Sequence, residues 1–114
     1  MLKNLLIRQL AILFAFSFCS FSLAQNSARV LSTYSCGVWV DSRARGVIAP
    51  SVWILGFLSG GNVFGTTNNA LELVDRESVF LWMDKYCKEN PLEYIDDGGQ
   101  VLLLELVAKR RNKK

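Results

Sequence analysis

Three cysteines, at positions 19, 36 and 87, constrain what this chain can fold into more than any other feature. Cys19 stands in a segment laid out like a secretory signal. Lys3 and Arg8 give a positive start, and Leu10 to Phe18 form an almost unbroken apolar run. Ser22-Leu23-Ala24 then puts small residues at the two positions a signal peptidase reads. Cleavage is expected after Ala24, which makes 1–24 a signal peptide and sends 25–114 to the periplasm. The apolar run is shorter than the roughly 20 residues of a comfortable span, so no stable membrane insertion is expected. Phe18 before Cys19 is too large for a lipoprotein signal. Cys19 therefore leaves with the signal, and Cys36 and Cys87 remain as one pair in an oxidising compartment. A disulfide between them closes a loop of 51 positions. In the chain-entropy account such a closure contributes about 4 kcal/mol, comparable to the whole net stability of a small domain.

The chain contains no histidine. Its absence excludes the Ser-His-Asp and Cys-His nucleophile arrangements in their usual form, and removes the commonest zinc ligand. With both cysteines oxidised, thiolate chemistry is gone as well. No catalytic residue, cofactor or metal is therefore expected. Only carboxylates remain as acid–base groups and no closely spaced pair stands out, so the protein is not expected to be an enzyme; a carboxylate hydrolase using Asp96 or Asp97 is the alternative.

Charge is uneven along the chain. Lys109, Arg110, Arg111, Lys113 and Lys114 form a basic tail, while the rest of 25–114 holds six basic residues against ten acidic ones. The tail reads as the solvated end of a last helix, its cations favoured by the helix dipole. Nothing aromatic interleaves it to suggest stacking on bases, so nucleic acid is not expected as a partner.

The pattern of residues 25–114 predicts an all-α domain of four helices. A first helix is expected over about Ala28 to Ser42, interrupted by Gly37, with Arg43 to Ala49 as a loop. A second opens at Pro50, suited to a first turn because its missing N–H is not needed there. It runs to Gly60 and is apolar nearly all round, which predicts the most buried position. Gly56 and Gly60, four apart, predict close approach of another helix on that face. From Gly60-Gly61-Asn62 to Asn69 the composition is that of a turn or exposed loop. A phosphate-binding signature is missing.

Asp75 is a good N-cap for a third helix. Its Val79, Trp82, Met83, Tyr86 and Cys87 recur at helical spacing and predict one core-facing stripe. Asn90-Pro91 ends it. The last helix is expected from about Tyr94 or Gly99 to Ala108, with Gly98-Gly99 weakening its start as a possible hinge, and packed antiparallel to the third.

One constellation rises above composition. A cysteine on the first helix precedes a Trp53-x-x-Gly56-Phe57-x-x-Gly60 helix. A polar loop follows, then an Asp75-capped helix ending Cys87-Lys88-Glu89-Asn90-Pro91, and a final amphipathic helix. This order resembles the HdeA-like family of small periplasmic helical proteins and the Tai-type immunity proteins of type VI secretion. The resemblance covers Cys36 to Val107 and carries over Cys36, Cys87 and the glycine-faced helix alone. It implies a protein partner: a toxin or effector whose active site is plugged, with a homodimer possible, or unfolded clients held during acid stress. The longer Gly/Asn-rich loop and the Phe and Trp content depart from the chaperone branch. An inhibitor or immunity role is thus the first expectation and an acid-stress chaperone the second. Partner contacts are expected from the loop Gly61 to Asn69, since loops on a rigid scaffold commonly carry function.

Overall fold

The computed structural model describes residues 2–4 and 29–113. Residues 2–4 are helical. Cys19 and the remainder of the expected signal segment lie outside the described residues. From residue 29 on, the chain is all-α, with α1 at Cys36–Arg45, α2 at Ala49–Phe64, α3 at Arg76–Glu89 and α4 at Ile95–Arg111.

Each start and stop has a local cause. The Ser35 side chain accepts a hydrogen bond from the Val38 N–H and caps α1. The first helix therefore begins at Cys36 rather than near Ala28. Residues 33–35 instead run beside 93–95: the Cys36 N–H donates to the Glu93 carbonyl and the Ile95 N–H to the Tyr34 carbonyl, both at 2.9 Å. A stretch rich in Ser, Thr and Tyr satisfies its backbone better across this pairing than along a helix. Gly46, at φ +70°, terminates α1 in the left-handed conformation that glycine adopts without strain.

Pro50 occupies the first turn of α2 as expected, but the helix continues through Gly60-Gly61 to Phe64. Asp75 caps α3, its carboxylate accepting from the Ser78 N–H at 2.7 Å and the Ser78 hydroxyl at 3.1 Å. Those bonds hold the Asp75 carboxyl below the usual aspartate range. The Tyr94 N–H donates to Asp97 at the start of α4. Gly98 and Gly99 lie within the first two turns of α4 rather than forming a hinge.

The core forms where α1, α2 and α4 meet α3. Trp39, Ile54, Met83 and Ile95 are fully buried, and Leu58, Val79 and Leu102 nearly so. Each fully buried aliphatic side chain contributes roughly 1.5–3 kcal/mol of burial. The expected stripe on α3 holds: Val79, Met83 and Cys87 face inward, while Trp82 and Tyr86 stack on each other at 5.4 Å, half-buried. Phe80, which the stripe omitted, is buried too and packs against Trp39.

Close helix approach is achieved on α4. A Cβ on Gly98 would lie 2.7 Å from Tyr86 Cδ1 and 2.8 Å from Met83 Cε; one on Gly99 would lie 2.9 Å from both Ile54 and Phe57. Adjacent helical residues point about 100° apart, so the two glycines bring α4 onto two helices at once. Gly61 does the same toward Leu103. Gly56 and Gly60, expected to serve this purpose, have nothing within 4 Å of a built Cβ. The face with Val52, Gly56 and Val63 is exposed, so α2 is buried on one side only. The residue pairs also fix directions: α2 and α4 run alongside in the same sense, and α3 and α4 are antiparallel.

Candidate functional site

Cys36 at the start of α1 and Cys87 near the end of α3 form the disulfide, with Cα atoms 4.8 Å apart. Both residues are buried. The bridge pins the two helices antiparallel at one end. A second tie lies about one turn further along. Asp84 accepts the Trp39 indole N–H at 2.8 Å and two bonds from the Arg43 guanidinium, at 3.1 and 3.2 Å. Arg43 also lies over the rings of Trp39 and Phe80, at 5.9 and 5.1 Å from their centroids. The buried indole is thus satisfied by a carboxylate, which is itself neutralised by a cation held on two aromatic faces.

On the outer side of these ties α1 and α3 leave an open groove of about 990 Å³. Its α1 wall is Gly37, Val40, Asp41 and Ala44; its α3 wall is Asp84, Cys87, Lys88 and the following Pro91. Each set falls at i, i+3, i+4 and i+7, one stripe of a helix. Gly37 and Ala44 keep the α1 wall low, and Val40 and Pro91 supply apolar surface. Asp41, paired with Arg45, and Lys88 stand at the rim. The groove has the size of a ligand site but is open along its length, a shape suited to a protruding protein segment rather than an enclosed small molecule.

The second exposed surface is the Gly/Asn-rich loop, which is held from inside by Asn62 and from the far side by Arg110. Asn62 Oδ1 accepts from the Thr67 hydroxyl at 3.0 Å and the Leu71 N–H at 3.3 Å, and its Nδ2 donates to Asn69 Oδ1 at 3.0 Å. Asn68 and Asn69 adopt φ of +51° and +53°, a conformation asparagine tolerates better than most residues. From the far side Arg110 donates to the Asn69 carbonyl at 2.8 Å and pairs with Glu72. One cation of the basic tail is therefore a loop anchor, and α4 stays helical through Arg111.

Of the residues singled out from sequence, Cys36 and Cys87 are brought together. Asp96 and Asp97 have separate structural partners. Asp96 is buried and accepts from the Thr33 hydroxyl, while Asp97 caps the start of its own helix. The groove was not anticipated. Its one sign in the sequence is a stripe of short side chains at helical spacing directly after Cys36, namely Gly37, Val40, Asp41 and Ala44. Among the described residues, no three Cys, Asp or Glu side chains gather as a metal site, and no helix is long and apolar enough to cross a membrane. Compared with protein-family models, with curated proteins and with solved structures, the chain matches none.

Proposed function

We propose that this is a small exported protein that binds a protein partner in the periplasm, acting as an inhibitor or immunity protein. The observation that carries the reading is the groove between α1 and α3. Two helices joined by a disulfide and by the Trp39–Asp84–Arg43 cluster form rigid walls. A preorganised surface of this kind loses less ordering entropy when a partner docks. The leader-like segment 1–24, the cysteine pair and the resemblance to Tai-type proteins support the same assignment.

The test uses the product of a gene adjacent to this one as the trial partner, measured by calorimetric titration at neutral pH. Binding in a fixed ratio is expected. Gly37→Arg should abolish it by filling the groove: a Cβ at Gly37 meets only Ser35 Oγ, at 3.7 Å, so the fold should be unaffected. If the variant binds as wild type with an unchanged melting temperature, the groove is not the site, and Thr66→Trp on the exposed loop becomes the informative change.

A stress-chaperone role is the second reading. Asp75, Asp84 and Asp97 each accept, as carboxylates, a hydrogen bond that holds a helix start or a helix pair. Acid would remove the charge of the Asp75 cap, whose hydrogen bonds hold its carboxyl below the usual aspartate range, and the loss of carboxylate charge across the chain would leave it strongly cationic and self-repelling. Suppression of client aggregation at acid pH but not at neutral pH would favour this role over the inhibitor.

A further inference from the structure

The parallel course of α2 and α4 brings their C-termini to one end of the molecule, with the loop 65–75 between them. Arg110 of α4 bonds to Asn69 and Glu72, and Asn62 of α2 bonds to Asn69 and Leu71. Two kinds of side chain gather at this end without packing against the core. Phe64 is 92 % exposed, Leu73 86 % and Val63 71 %. Cations stand beside Leu73. Leu73 lines one groove with Lys109, Arg110 and Lys113 over a floor of Ala70 and Leu106. Leu104, Ala108 and Arg111 form an exposed stripe of α4 beside it. The only carboxylate in that groove, Glu72, is already neutralised by Arg110.

We propose that this end of the molecule docks on the surface of an anionic lipid membrane. Lysines and arginines would lie at the headgroup phosphates while Phe64, Leu73 and Val63 enter the boundary between headgroups and acyl chains. Large exposed apolar side chains at the same end as a cationic groove match that interface in chemistry, since burial of a few side chains and attraction to anionic headgroups act together there. A nucleic acid would use the cations but leave Phe64 and Leu73 without a role, as would an acidic protein face. The α1–α3 groove belongs to other elements, so a membrane-held molecule still presents it to a partner.

The test is flotation of the full chain, as recovered from cells, with vesicles of phosphatidylcholine alone and of phosphatidylcholine with phosphatidylglycerol. Any binding through residues 10–18 is common to wild type and variants and drops out of the comparison. Binding should favour the anionic vesicles and weaken as salt screens the charges. Lys109→Ala and Lys113→Ala should each weaken it about fivefold. The pair Phe64→Ser with Leu73→Ser should weaken it at least as much, without loss of folding, because both side chains are almost fully exposed. Equal binding to both vesicle types overturns the proposal. So does anionic-vesicle binding that survives either pair of changes. Loss with the lysines alone, together with tight binding of a DNA oligonucleotide, would reassign the patch to a non-lipid polyanion.

Discussion

Gly99 of α4 stands against Ile54 of α2 so closely that a single added methyl group would lie 2.9 Å from Ile54 Cδ1. The contact sets the distance between the two helices, and its neighbour Gly98 sets that between α4 and α3. Gly98→Ala and Gly99→Ala should each destabilise the fold by roughly 1–3 kcal/mol, the usual cost of overpacking. Gly56→Ala and Gly60→Ala should do the opposite. They are helical positions with open space around a Cβ, where alanine is favoured by roughly 0.5–1 kcal/mol. Urea midpoints of the four variants decide the matter: the two pairs must move in opposite directions.

This glycine pattern also marks how far the fold was legible from sequence. The α3 stripe, its Asp75 cap and the Pro91 stop could be read because they are local: spacing, a capping side chain and a proline act within one element. The glycine roles could not. A Gly-x-x-x-Gly spacing states that two glycines share a face of α2, but whether anything approaches that face is decided by distant residues. Gly98 and Gly99, which do receive neighbours, sit side by side, where they read as a helix breaker. The start of α1 at Cys36 is not legible locally for a related reason. Residues 33–35 gain backbone partners from 93–95, about sixty positions along the chain, and no local pattern reports such a pairing. The groove depends on the angle between α1 and α3, which the cysteine pair fixes only at one end.

Asp84 is the single acceptor for a fully buried indole. Asp84→Ala would leave the Trp39 Nε1–H without a partner, a loss of roughly 1–3 kcal/mol. Asp84→Asn keeps an oxygen for the indole and gives up only the charge opposite Arg43, so its cost should be clearly smaller. Chemical denaturation followed by Trp fluorescence measures both. Equal losses would mean that the Arg43 pairing, not the indole bond, carries the energy.

Arg110 joins the C-terminal turn of α4 to the loop at Asn69 and Glu72. Arg110→Ala should raise hydrogen exchange and proteolytic nicking between residues 66 and 74 while leaving exchange in the core of α3 unchanged. Loss of protection spread evenly through the domain would contradict a local anchoring role.

The Asp75 cap gives stability a direction in pH. Hydrogen bonds from Ser78 hold its folded pKa below the unfolded value of about 4. Its contribution is therefore present above that unfolded value and is lost as pH falls through the folded one. Asp75→Asn retains an acceptor for the Ser78 N–H but does not titrate. The variant should show a shallower loss of stability below pH 4 than wild type, read from melting temperatures across pH. An identical acid slope would assign the acid sensitivity to other carboxylates.

The disulfide is expected to hold α1 in place. Ten residues are too few for a helix to persist alone in water, so α1 depends on what it is tied to. Its ties are the Cys36–Cys87 bridge, the Trp39 and Arg43 bonds to Asp84, and the backbone pairing of 34–36 with 93–95. The bridge alone is covalent and survives local opening. Cys36→Ser or Cys87→Ser should therefore lower stability by roughly 2–5 kcal/mol, the usual cost of losing a native bridge in a small secreted domain. Amide protection around Cys36 to Val40 should be lost before that of α3, because Met83 and Val79 remain packed against α2 and α4 when α1 lifts. Both sulfurs belong to buried residues, so reduction of the wild type should be slow until such an opening occurs. If the reduced protein melts at the same temperature as the oxidised one, the aromatic and carboxylate ties suffice and the bridge is incidental to the fold.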